Sequence, residues 1–275
     1  MKLICWNIGH RKAAWRSLPD LGVDSSERQD ITDEVEEAWK LSPDTGVDIV
    51  LLQEGYQPPK DVADRIEVDP APYFKRDSQR PDSRGKALSR CAIVKVSDKV
   101  KVEYLDDIKS SHPGCLSAAV VTPLEGKFRN WPIHVVSFCP QYEAYHPSSG
   151  LKGDDLVDPS VHRIISDISL LIGRKDSFRM IAAGDTTVMY GDEVSDYWKD
   201  RNQAVFDRMT SIGLPMIGPQ GPTYYYPGQK CTEATRQLDY VFASRSMRDS
   251  ITTRALNDPE EWGPSEHCRI LIEVS

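Results

Sequence analysis

The feature that most constrains the fold is a recurring short apolar run of strand length, ended or interrupted by a single polar group. KLICWN stops at Asn7, VDIVLLQE at Glu54, RMIAAGD at Asp185; LDYVFAS carries Asp239 inside it, and Glu266 and His267 stand immediately before RILIEV. Runs of this length, rich in β-branched residues, are expected as strands buried on both faces. Further strands are expected in CAIVKV from Cys91, LSAAVVTP from Leu116 and IHVVSF from Ile133.

Helical spacing appears in three places. ERQDITDEVEEAW, from Glu27 to Trp39, sets Ile31, Val35, Ala38 and Trp39 on one face with acids opposite. VHRIISDISLLIGR begins at Val161, and YWKDRNQAVFDRMTSIG begins at Tyr197 and ends at Gly213 as a C-cap would. Strands outnumber helices and the two are interspersed, so two sheets packed face to face with helices outside is the expected α/β sandwich. No linker or repeat divides the 275 residues, and one domain over 1–275 is expected.

Composition narrows the function. The formal charge is −8, which argues against affinity built on a wide basic surface. It leaves phosphate substrates open, because a divalent cation in an acidic site inverts the local sign. KRDSQRPDSRGKALSR, from Lys75, gathers six basic residues and reads equally as a solvated loop or a phosphate-facing lip. The start lacks the apolar core of a signal peptide and no run approaches the ~18 residues of a membrane span, so the expectation is a soluble cytoplasmic chain with no membrane partner. Six scattered cysteines form no C-x-x-C pair and are expected as buried free thiols.

A lone Gly-Asp after a strand is ordinary turn chemistry. Five apolar segments that each deliver an acid, amide or imidazole are different, because buried carboxylates are costly unless a cation or a hydrogen-bond network compensates them. Oxygen ligands in such a site suit Mg²⁺.

In this order, strand-Trp-Asn, Leu-Gln-Glu, Gly-Asp, Leu-Asp-Tyr and a late acid-His pair, the chain resembles the endonuclease/exonuclease/phosphatase (DNase I-like) superfamily of metal-dependent phosphodiesterases. The resemblance spans Asn7 to His267. It implies a four-layered sandwich, two mixed sheets flanked by helices, with the active site at one end of the sheets. It further implies that Glu54, Asn7 and Glu266 hold Mg²⁺ or Mn²⁺. Asp185 would orient or deprotonate the attacking water, or join the metal ligands, and Asp239 would fix the tautomer of His267, the acid-base catalyst or phosphate contact.

Three positions depart from the family pattern. Glu266 stands where Asp is usual in Ser-Asp-His. Thr187 takes the place of Asn in Gly-Asp-x-Asn, and a hydroxyl is shorter than an amide and donates once; a lost preorganised donor of this kind costs roughly 2.7 to 4 kcal/mol. Phe138 occupies a position usually held by His or Tyr, with the amide of Gln141 just beyond it. His134 lies about 13 Å farther along the strand and is expected to be structural.

Substrate contacts are expected from Gln141, Tyr190 and Arg236. Tyr224, Tyr225, Tyr226 and Trp198 fit stacking on a base or sugar and ordinary loop packing equally. The implied activity is a Mg²⁺- or Mn²⁺-dependent phosphoric ester hydrolase, an endonuclease or exonuclease acting on nucleic acid. The alternatives are a small-molecule or phospholipid phosphatase or phosphodiesterase, and a catalytically silent binding module of the same fold.

Overall fold

The computed structural model describes residues 1–9, 46–55, 58, 60–64, 66–71, 74–75, 88–105, 108, 110, 113–141, 158–173, 178–191 and 196–275. The helix expected over 27–39, most of the basic stretch from Lys75, and residues 142–157 lie outside the described residues.

The strands are β1 (Lys2–Asn7), β2 (Ile49–Gly55), β3 (Glu67–Val68), β4 (Phe74–Lys75), β5 (Leu88–Lys95), β6 (Val100–Tyr104), β7 (Leu116–Pro123), β8 (Ile133–Phe138), β9 (Met180–Asp185), β10 (Met216–Gly218), β11 (Asp239–Ala243), β12 (Ile251–Leu256) and β13 (Arg269–Val274). The α-helices are α1 (Lys60–Ala63), α2 (Asp158–Ser169) and α3 (Asp196–Ser211). Among the described residues one sheet has seven strands, ordered β12-β13-β1-β2-β5-β3 with β4 also on β5, and the other has six, ordered β10-β11-β9-β8-β7-β6. Each is mixed: β1 and β2 run parallel in the first, β8 and β9 in the second.

Alternation along the strands explains the layering. Leu3, Cys5, Ile49, Leu51 and Ile93 face Ala119, Val135, Ile181 and Val241 in a core between the sheets. Their neighbours Ile4, Trp6, Val50 and Leu52 fill a second cluster on the other face of the first sheet. On the far side of the second sheet, Val136, Met180, Ala182 and Phe242 pack under Ile164 and Ile168 of α2 and Val205, Phe206 and Met209 of α3. Each large aliphatic side chain so buried contributes about 1.5–3 kcal/mol. The result is the α/β sandwich that the pattern implies.

α3 ends in a Schellman motif: Leu214 N–H donates to Met209 O, Gly213 N–H to Thr210 O, and Gly213 sits at φ 93°. The Gly-Asp of RMIAAGD is not a turn: Gly184 lies inside β9 opposite Phe138, where an added Cβ would collide with the Phe138 carbonyl oxygen. The six cysteines are free, all but the half-buried Cys231 being buried. No helix among the described residues is long and apolar enough to cross a membrane.

Topology gathers the polar strand ends at one rim. β1 and β2 are parallel, so Asn7 pairs with Gln53 and Glu54 follows at the same end. β13 runs antiparallel to β1, which brings the residues preceding Arg269 back to the end of β1. In the second sheet β11 runs antiparallel to β9 and places Asp239 opposite Asp185.

Candidate active site

His267 is the centre of the rim. Its Nδ1 lies 2.8 Å from Asp239 Oδ2 and its Nε2 lies 3.8 Å from Asp185 Oδ2. Asn7 Nδ2 donates to the same Asp185 oxygen at 3.0 Å. All four side chains are buried. Atoms of Asp185, Asp239 and His267 fall within 4.8 Å of one another.

The backbone around the imidazole is tied to the first sheet. Trp6 Nε1 donates to the His267 carbonyl at 3.1 Å, Ser265 Oγ donates to Asn7 O at 2.6 Å, and the His267 N–H donates back to Ser265 Oγ at 3.2 Å. Thr223 Oγ1 donates to Asp239 Oδ2 at 2.7 Å and accepts the N–H groups of Leu238 and Asp239. Thr223 is not identifiable as a site residue from the sequence, and Trp6 and Ser265, though they fall within the motifs, show no role there, since each works by holding a neighbour in place.

Burial opposes charge on His267, but Asp239, bonded to it, together with Asp185 and Glu54, lifts its pKa to about 9. Burial raises Asp185 to about 6, against the lowering pull of His267 and with Asp239 and Glu54 adding to the rise. These neighbours favour a charged imidazole beside Asp185, whose carboxylate is a stronger base than an ordinary aspartate.

Glu54 reaches this field from a half-buried position in β2, at φ 53°, where the β2–β5 register slips between Leu52 and Gly55. The β-bulge turns a residue of a buried strand towards the rim. Asn7 Oδ1 accepts the Gly9 N–H at 3.0 Å and keeps a second lone pair. Glu266 is half-buried beside Gly9, where an added Cβ would meet its Oε2 at 3.1 Å. The three expected cation ligands thus lie along one rim. Asp239 Oδ1 is buried without a hydrogen-bond partner among the described residues. Hard oxygen donors in excess of the positive charge fit a hard divalent cation.

Thr187 is turned towards Asp185: its N–H donates to Asp185 Oδ1 at 2.6 Å and its hydroxyl lies 3.2 Å from the same atom. Its φ is 55°, a left-handed conformation unusual for a β-branched residue. Phe138 is buried in the cluster under the helices, 6.2 Å from the Phe242 ring. His134 stacks on Phe178 at 4.7 Å, which agrees with a structural role.

The expected substrate contacts separate. Arg236 lies over the Tyr226 ring at 4.6 Å, and Tyr224, bridged to both Arg236 and His267, places its ring 4.7 Å from the imidazole. Tyr190 instead packs edge-on against Phe206 of α3 at 4.9 Å while remaining 49% exposed. Gln141 is half-buried, and its N–H donates to Ser160 Oγ at the start of α2. Trp198 carries the Arg201 guanidinium 5.5 Å from its ring centroid.

No protein-family model matches the chain, and no curated protein does. Solved structures do. An AP endonuclease from Archaeoglobus fulgidus aligns over 100% of this chain and 99% of its own with a TM-score of 0.62 at 14% identity. The 3'-5' exonuclease NExo from Neisseria meningitidis aligns over 100% of both chains with a TM-score of 0.60 at 16% identity. The endonuclease domain of TRAS1, a telomere-specific non-LTR retrotransposon, aligns over 99% of this chain and 97% of its own with a TM-score of 0.59 at 15% identity. The fold is that of the endonuclease/exonuclease/phosphatase, DNase I-like, structures.

Proposed function

We propose that this chain is a divalent-cation-dependent phosphoester hydrolase whose substrate is nucleic acid. The observation that carries the reading is the placement of His267, bonded to Asp239 through Nδ1 and turning its Nε2 towards Asp185, among buried acids at one rim.

Each side chain has a role that its geometry supports. Asp239 holds the Nδ1–H, which leaves the Nε2 edge of His267 to stabilise or protonate the phosphate or leaving oxygen. Asp185, deprotonated above about 6, orients the attacking water and accepts its proton. Asn7 fixes the Asp185 carboxylate by donating to Oδ2. Glu54, with Asn7 and Glu266, would hold Mg²⁺ or Mn²⁺. A hard cation there supplies charge neutralisation at the phosphate oxygens.

Nucleic acid is favoured over a small phosphoester by the lip beside His267. Tyr224 and the Arg236–Tyr226 pair offer aromatic faces and a guanidinium, which suit a base and a phosphate together. The nuclease descriptions of the structural neighbours agree with this choice.

A substrate panel tests the reading. Single-stranded and duplex DNA, RNA, inositol polyphosphate, sphingomyelin and bis-p-nitrophenyl phosphate are assayed with Mg²⁺, with Mn²⁺ and with chelator, alongside Glu54→Gln and His267→Ala. Cation-dependent cleavage of nucleic acid, lost in both folded variants, is expected. Failure to bind Mn²⁺ and to cleave any phosphodiester would leave the silent binding module as the better account.

A further inference from the structure

Glu54 owes its place to a bulge in a strand otherwise buried on both faces, and the residues around that bulge form a polar network inside an apolar core. Gln53 is fully buried. Its Nε2 donates to Leu51 O at 3.0 Å and, across the gap between the sheets, to Ser137 Oγ of β8 at 2.8 Å. Ser137 Oγ in turn donates to Leu52 O at 2.7 Å, and Gln53 Oε1 accepts the Cys5 thiol at 3.7 Å. The two backbone carbonyls preceding the register slip are therefore both held by side chains.

A second set lies on the other side of the slip. Gly55 pairs with Arg90 of β5, and buried Arg90 forms an ion pair with buried Asp69. Asp69 also accepts the Ile93 N–H at 2.8 Å and the Ser117 hydroxyl of β7 at 2.9 Å. Ser117 and Ser137 are direct partners in the β7–β8 register. Two adjacent hydroxyls of one sheet thus reach the other sheet, one at Leu52 of the bulged strand and one at Asp69, which holds the facing strand β5 through Ile93 and Arg90.

We infer that Gln53, Ser137, Ser117, Asp69 and Arg90 form a buried clamp that positions the Glu54 carboxylate for cation binding, the second sheet acting as the brace. The inference rests on the proposed cation-dependent function for the role of Glu54, and on the hydrogen bonds for the clamp itself. The physical reason is that a non-glycine residue at positive φ persists only where its surroundings over-determine it. Apolar packing is tolerant of small shifts, whereas paired donors and acceptors in a low-dielectric core fix one arrangement. These are positioning residues, since they hold the backbone around Glu54 and its partner strand rather than the cation.

The test uses the full chain with Ser137→Ala, Gln53→Met and a comparison variant, Val121→Ala, which hollows the same core away from the clamp. Mn²⁺ affinity is measured by titration calorimetry, and amide exchange at residues 53–55 is followed without metal. Loss of an outer-sphere support typically weakens metal binding about 10- to 100-fold. Ser137→Ala and Gln53→Met are expected to show that loss and faster exchange confined to the bulge, while Val121→Ala keeps parental Mn²⁺ affinity despite a lower melting temperature. Parental affinity and parental exchange in both clamp variants overturn the inference, as does an equal loss in Val121→Ala. A parent chain that binds no Mn²⁺ overturns the functional reading instead, and the exchange data then decide the clamp alone.

Discussion

The imidazole of His267 hydrogen-bonds Asp239 through Nδ1 at 2.8 Å while its Nε2 faces Asp185 at 3.8 Å, so one ring is shared between carboxylates from neighbouring strands of the other sheet. Asp239→Asn is expected to leave the fold intact, to lose the anion that stabilises the imidazolium, and to lower kcat by ~10²–10⁴, the range of a positioned acid-base group. Steady-state kinetics on bis-p-nitrophenyl phosphate with Mn²⁺ measure it; a kcat within twofold of the parent would remove Asp239 from the mechanism.

The two shifted groups set a pH window. In the proposed mechanism turnover needs Asp185 ionised and His267 charged, so kcat/KM is expected to rise through about 6 and fall through about 9. A profile still flat at pH 10, or one whose alkaline limb is unchanged in Asp239→Asn, contradicts the assignment.

Stability without metal follows by linkage. The raised pKa of His267 gives stability that is full below about 6.5 and is lost as pH rises through about 9. The raised pKa of Asp185 acts in the same direction at lower pH: its burial is harmless below about 3.8 and costs stability as pH rises through about 6. Melting temperature is therefore expected to fall on going from pH 6.5 to 9, and the fall should shrink in His267→Ala.

Thr187 occupies φ 55°. Asparagine tolerates that region far better than a β-branched residue, so Thr187→Asn is expected to stabilise the fold by about 1 kcal/mol. Urea denaturation reads the change, and a variant less stable than the parent would mean that the Thr187 hydroxyl bond to Asp185 outweighs the backbone strain.

Gly184 permits the close approach of Phe138 O from β8. Gly184→Ala forces backbone apart where parallel strands must pair, and is expected to cost on the order of 3 kcal/mol or to prevent folding. A thermal melt within two degrees of the parent excludes this account.

Much of this is legible in the amino-acid sequence. Apolar runs fixed both the existence and the bounds of β7, β8 and β13, because strands buried on both faces leave nothing else for such residues to do. β6 and β12 escaped notice because one face is wet: VKVEY and ITTRAL alternate, and their charged members dilute the apolar signal. The motif order located Asp185, Asp239 and His267, whose meeting is a matter of strand register. The fit of Thr223 under Asp239, and the descent of Ser137 onto Leu52, depend on three-dimensional proximity and leave no local trace. The edge-on contact of Tyr190 with Phe206 of α3 leaves no local trace either, since nearness in sequence to Asp185 says nothing of the ring's course.

β1 lies between β2 and β13, and Met1 exchanges backbone hydrogen bonds with Val274. β1 is thus stitched on one side to a strand near it in sequence and on the other to one far away. Asn7 and His267 meet only once that distant pairing has zipped up, so unzipping β13 alone would take the rim apart while leaving each half of it intact.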